Sequence, residues 1–151
     1  MSDYAIYELS VGGGTLALSP LPQGDGVPVL LDWQPDIVIS MMAQADMAKY
    51  GAGDLGQVLI RKDVIWHQVP VVDYGTPNPA DVATVVADAM ACLAAGGRVL
   101  THCRGGCGRS GTMALRIMVA AGEDGDAALT RLRNVRPCAV ETDAQVAWAK
   151  G

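Results

Sequence analysis

The residues of this chain best suited to chemistry lie in one run of ten, His102-Cys-Arg-Gly-Gly-Cys-Gly-Arg-Ser-Gly111. Cys103 and Arg109 stand at its two ends with five residues between them, three of them glycine. An apolar strand candidate, Arg98–Thr101, leads directly into the run, and a helix candidate, Thr112–Val119, follows it. Strand, glycine-rich loop and helix N-terminus together form an anion cradle, because free backbone N–H groups and the helix dipole converge on one point. Arginine suits phosphate through its two-pronged guanidinium. A cysteine set beside such a helix end and cation is favoured as thiolate over thiol. The expected chemistry is therefore to hold a phosphate group and attack it.

The same run resembles the active-site loop of the cysteine-dependent protein tyrosine phosphatase superfamily, whose pattern is H-C-x-x-x-x-x-R-[ST]. His102, Cys103, Arg109 and Ser110 all occupy their places. Two further stretches are similar to small members of the dual-specificity and kinase-associated type. One is W-H-Q-V-P-V-V-D-Y-G-T-P, which carries Asp73 thirty residues before Cys103. The other is R-P-C-A-V-E-T-D-A-Q, from Arg136 to Gln145. The resemblance covers roughly the second half of the chain, and residues 1–60 carry no motif of comparable strength.

What the resemblance implies can be weighed residue by residue. A lone Cys103 would read as an inert buried thiol; with Arg109 and the glycines it reads as a nucleophile that passes through a cysteinyl-phosphate. Arg104, Gly105, Gly106, Cys107, Gly108 and Arg109 then form the phosphate-binding loop. Arg109 would clamp two oxygens of the transferring group. Ser110 either caps the helix or, as the family implies, sets a hydroxyl beside the sulfur to help the thiolate leave. His102 would order the loop. A phosphate ester's leaving oxygen needs a proton that a thiolate loop does not supply, and Asp73, on a loop between Pro70 and Pro79, can give it. Asp81 is the rival, although it reads as a first-turn helix acid. Gln145 closes a Thr142-x-x-Gln145 capping box, while the family implies a role in placing the hydrolytic water. Cys107 has two readings as well: a small hydrophobe under the loop, or the partner of Cys103 in a reversible disulfide. A zinc site from His102, Cys103 and Cys107 lacks a fourth ligand, so no metal or other cofactor is expected.

The remaining sequence must position these groups. At 151 residues the chain is read as one domain, residues 1–151, able to bury a core without metals or disulfides. Half of it is hydrophobic, 18% is charged and phenylalanine is absent. The core is therefore expected from Val, Leu, Ile, Met and the three tryptophans. A net charge of −5 argues against general nucleic-acid or anionic-membrane partners. No signal-peptide pattern is visible, and the longest apolar stretch, Val82 to Ala95, is too short to span a bilayer. The four cysteines show no framework spacing, which points to a reducing cytoplasm.

Along the chain, Tyr4–Leu9 and Thr15–Leu18 flank Gly12–Gly14 as a hairpin. Residues 19–28 read as a loop, 36–41 as a buried strand, and 44–50 and 54–61 as short helices. Val64–Val69 reads as a strand. From Asp81 to Leu93, apolar residues at 82, 85, 86, 89 and 93 repeat at helical spacing, and Gly96-Gly97 stops the helix. Helices are also expected at 126–135 and 142–150. Alternating strands and helices imply a single α/β domain with a mainly parallel sheet flanked by helices.

The function expected is hydrolysis of phosphate monoesters, on phosphotyrosine and also phosphoserine or phosphothreonine of proteins. No motif resembles a tyrosine-recognition loop, so a shallower pocket is expected. A phosphoinositide or small-molecule phosphatase, a rhodanese-like sulfurtransferase and a phosphate-binding pseudophosphatase stand as alternatives. The oligomeric state is left open.

Overall fold

The structure is a computed structural model that describes residues 4–151. Its centre is a five-stranded sheet in the order β1-β2-β5-β3-β4. β1 (Tyr7–Val11) and β2 (Gly14–Ser19) form the expected hairpin, with Gly12 and Gly13 at positive φ in the turn. The other pairings, β2 with β5 (Arg98–His102), β5 with β3 (Ile37–Ser40) and β3 with β4 (Ile65–Gln68), are parallel. β3 is buried at every position, as the apolar run Ile37–Ile39 requires when a strand is covered on both faces, and Ser40 at its end is buried with hydrogen-bond partners.

Helices flank the sheet: α1 (Gly26–Asp32), α2 (Gln44–Lys49), α3 (Leu55–Arg61), α4 (Ala83–Ala94), α5 (Gly108–Ala120), α6 (Gly125–Val135) and α7 (Asp143–Lys150). In and just before α4, residues 82, 85, 86, 89 and 93 are buried, so the apolar spacing read from the sequence is the face that packs. α5 is buried along most of its length and packs against α4, α6 and α7.

Four local expectations are corrected. Residues 26–28 open α1 rather than end a loop; Pro28 lies in the first turn, where the missing N–H breaks no helical bond. The helix after the cysteine loop starts at Gly108 rather than Thr112, which takes Arg109 and Ser110 into its first turn. The tryptophans line the edge of the core, with Trp33, Trp66 and Trp148 only partly buried against it. Leu, Val, Ile and Met fill the centre. The start of the hairpin is also trimmed, since Tyr4–Ile6 lie outside β1.

Both expected site segments leave the sheet from the carboxyl ends of parallel strands that flank β3. The cysteine loop follows β5 and the Asp73 segment follows β4. That edge of a parallel sheet is where ligands of open α/β folds bind.

Candidate active site

The cradle is shaped by where its carbonyls go. Arg104 O accepts from Leu21 N at 3.1 Å. Arg136 donates from Nε to Gly106 O at 3.1 Å and from Nη2 to Gly105 O at 3.0 Å. Cys107 O accepts from Gly111 N and Val140 N. A trans peptide sets each N–H opposite the preceding C=O. Carbonyls turned outward at 104, 105, 106 and 107 therefore turn the amides of Gly105, Gly106, Cys107 and Gly108 inward. Glycine is needed at Gly106, which sits at φ +74° and where a Cβ would come within 2.5 Å of Pro20 N. A Cβ on Gly108 would meet the Glu141 carboxylate, the far end of a flexible side chain that can move aside.

Cys103 is buried, and its sulfur lies 3.2 Å from Ser110 Oγ. Ser110 is the third residue of α5 and Cys107 is the N-cap, so the hydroxyl faces the sulfur instead of capping the helix. Arg109 is only 6% exposed. Its Nη1 donates to Val71 O at 2.9 Å, whereas its buried Nε has no hydrogen-bond partner. Asp73 Oδ1 is 3.9 Å from that Nε, an ion-pair distance too long for a hydrogen bond. A buried guanidinium donor left over beside inward-facing amides is what a phosphate oxygen would satisfy.

His102 lies behind the loop, fully buried, with Nε2 2.5 Å from Ser40 Oγ; Ser40 in turn accepts from Trp66 Nε1 at 2.8 Å. Burial pushes the imidazole pKa down to about 4, a backbone hydrogen bond at Cys103 opposes this, and the Arg109 charge lowers it further. The ring is neutral at pH 7 and belongs to the scaffold of the loop.

Asp73, Cys103, Arg104, Gly105, Cys107, Gly108, Arg109 and Glu141 surround one cavity of about 160 Å³. It adjoins a second of about 210 Å³ lined by Met42, Asp46, Tyr50, Asp73, Arg104 and Arg109. Arg104 is exposed and lies over the Tyr50 ring, 4.0 Å from its centroid. A larger apolar cavity between α4, α5 and α7 holds neither a cysteine nor a histidine, so size does not identify the site. Asp81 stands in the 3-10 turn Pro79–Asp81 and lines neither site cavity.

Three residues of the Arg136–Gln145 stretch join the site through contacts that no local pattern shows. Arg136 makes three bonds to a loop 30 residues away. Glu141 lines the cavity, although only its nearness to the capping box marked it. Cys138 forms a disulfide with Cys107. That bond corrects both readings of Cys107: it is neither a small hydrophobe under the loop nor a thiol free to meet Cys103. The free cysteines are Cys92 and Cys103. Gln145 is fully buried, lies outside the cavity lining and completes the capping box with Thr142.

A buried cysteine and arginine bracketing a loop of inward amides, at the carboxyl end of a central parallel strand, define a phosphate-loop domain of the tyrosine and dual-specificity phosphatase class. Residues 53–148 match the family model described as Swiss Army Knife protein, DSP-PTPase phosphatase domain, and the chain belongs to that family. It is similar to human cyclin-dependent kinase inhibitor 3, with 27% identity over 95 residues, 62% of this chain and 45% of that protein. The chain thus spans about half the length of the curated relative it matches. Kinase associated phosphatase, solved with its catalytic-site cysteine replaced by serine, shares the fold at a TM-score of 0.83 and 20% identity, over 99% of this chain and 93% of that one. PTPMT1 in complex with PI(5)P shares it at 0.79 and 20% identity, over 95% and 92%.

Proposed function

We propose that this chain hydrolyses phosphate monoesters through a cysteinyl-phosphate intermediate. The observation that carries the reading is the buried, unpartnered Arg109 Nε set beside the amides that face Cys103. In the first step the Cys103 thiolate attacks phosphorus and the bond to the ester oxygen breaks. Asp73, at the cavity wall, gives that oxygen its proton. Arg109 and the loop amides hold the three equatorial oxygens as charge spreads over them. In the second step water attacks phosphorus, Asp73 takes a proton from it, and the sulfur leaves as thiolate toward the Ser110 hydroxyl, 3.2 Å away.

Phosphorylated protein is the substrate class we assign to this small cavity, with phosphotyrosine and phosphoserine or phosphothreonine both admitted. One observation favours a second reading. Exposed Arg104, beside the cradle and over Tyr50, offers another cation to a substrate with more than one phosphate, such as a phosphoinositide. A relative of the same fold has been solved with PI(5)P. A sulfurtransferase would need no acid, and a binding-only protein would need neither Cys103 nor Asp73, so both fit the cavity less well. Among the described residues no helix is long and apolar enough to cross a membrane. We place the chemistry in the cytoplasm on the sequence pattern alone; reductants there would open an accessible Cys107–Cys138 bond.

The test is Cys103→Ser. Turnover of an aryl phosphate should vanish while phosphate or vanadate still binds, read by calorimetry on the variant. A serine enzyme that keeps a substantial share of the activity would show that the covalent step is misassigned. A panel of phosphotyrosine peptide, phosphothreonine peptide and phosphoinositide then separates the two substrate readings.

A further inference from the structure

Gln145 makes more bonds than a helix cap needs. Its Oε1 accepts from the backbone N–H of Glu141 at 2.8 Å and of Thr142 at 3.1 Å, and the Thr142 hydroxyl accepts from Gln145 N at 3.0 Å. Those bonds complete the capping box, for which glutamate serves as well as glutamine. The amide nitrogen does something else. Gln145 Nε2 donates 3.0 Å to Gly75 O, in a segment seventy residues away.

Gly75 closes the turn that carries Asp73. Its N–H donates to Val72 O at 2.9 Å, Tyr74 between them sits at φ +63°, and Asp73 Oδ1 accepts from Tyr74 N at 3.0 Å. The near end of the turn is held by Arg109 through Val71 O at 2.9 Å. The Asp73 side chain itself is 63% exposed, and among the described residues its ion pair is with Arg109, at 3.9 Å. Its position is therefore set by the turn, and the turn hangs between two buried side chains, one in the cradle and one in α7.

We propose that Gln145 is a positioning residue for Asp73: its buried amide grips Gly75 and so aims the carboxyl at the leaving-group oxygen. The proposal rests on Asp73 being the acid. It differs from a capping role, which needs only Oε1, and from contact with the hydrolytic water, since Gln145 does not line the cavity.

Two variants separate cap from tether. Gln145→Glu keeps the oxygen that accepts from Glu141 and Thr142 but, ionised, has no donor for Gly75. Thr142→Ala removes the cap's hydroxyl and leaves the tether. For an alkyl phosphate, Gln145→Glu should lower kcat on the order of 10–10²-fold with KM little changed, as expected for a misplaced catalytic group. The loss should shrink for aryl phosphates with good leaving groups, and the high-pH limb of the profile should weaken. Thr142→Ala should lower the melting temperature and keep kcat. In an Asp73→Asn background, Gln145→Glu should add less than a twofold loss, because its effect passes through that carboxyl. Full kcat in Gln145→Glu, or the same fold-loss with and without Asp73, overturns the proposal. Should Gln145→Glu fail to fold, Gln145→Met is compared with Thr142→Ala: both lose the cap, and equal kcat values overturn the tether. If Asp73→Asn alone retains full kcat, it is the acid assignment that has failed.

Discussion

Asp73 and Arg109 share one short stretch of space but divide the labour of holding it. Arg109 commits Nη1 to Val71 O and keeps Nε unpartnered and buried, so the guanidinium both fixes the turn that carries Asp73 and faces the cradle. Asp73 is 63% exposed and lies 3.9 Å from that Nε. Asp73→Asn keeps the shape and removes the proton, so kcat should fall on the order of 10²–10⁴-fold with little change in binding. Steady-state rates over a range of leaving groups check this. The loss should be smallest for the best leaving group, and the descending high-pH limb should disappear. Asp81→Asn, altering a residue outside both site cavities, should behave as the parent. The reverse pattern would move the acid to Asp81.

At the scale of elements, the segment between α6 and α7 acts as a splint for the phosphate loop. Arg133 holds Ala139 O and Val140 O, Val140 N returns to Cys107 O, and Arg136 takes the carbonyls of Gly105 and Gly106 while its guanidinium lies over the Tyr7 ring. The Cys107–Cys138 disulfide ties the same two elements covalently. With a sequence separation of 31, loop-closure entropy puts its contribution at about 3–4 kcal/mol. A thiol reductant should therefore lower the melting temperature by roughly 10 °C, and Cys107→Ser/Cys138→Ser should show the same lowering without responding to reductant. Alkylation of the unreduced, denatured protein should label Cys92 and Cys103 alone. Labelling of Cys138 would show that the crosslink is absent. While the Cys107–Cys138 bond is closed, oxidised Cys103 has no Cys107 thiol to trap it, so peroxide on the unreduced protein should carry Cys103 onward to sulfinic acid.

Over the whole molecule, the parallel sheet brings the loops after β4 and β5 to one edge, and β3 between them sends Ser40 under His102. Burying an imidazole there has a global consequence. Its folded pKa, about 4, lies below the usual 6.5. Between these values the unfolded chain binds a proton that the folded one refuses, so stability is full above pH 6.5 and declines as pH falls toward 4. The loss approaches roughly 3 kcal/mol at the bottom of that window. Melting curves between pH 7 and 4 should show it, and His102→Asn should flatten the slope. An equal slope in the variant would assign acid sensitivity to other groups.

Local chemistry was open to reading along the chain. Cys103, Arg109 and the intervening glycines sit within seven positions of one another, so their joint meaning needs no distant partner. The helical spacing of Val82, Val85, Val86, Ala89 and Leu93 likewise marks a buried face by period alone. Strand alternation with helices foretold the α/β sheet for the same reason. Tertiary structure decided whatever depends on contacts between remote segments. The Cys107–Cys138 bond, the Arg136 grip on the loop carbonyls and the reach of Gln145 to Gly75 join residues 30 to 70 positions apart. Side-chain type fits many such partners equally well, and only the packed chain brings one of them within bonding distance.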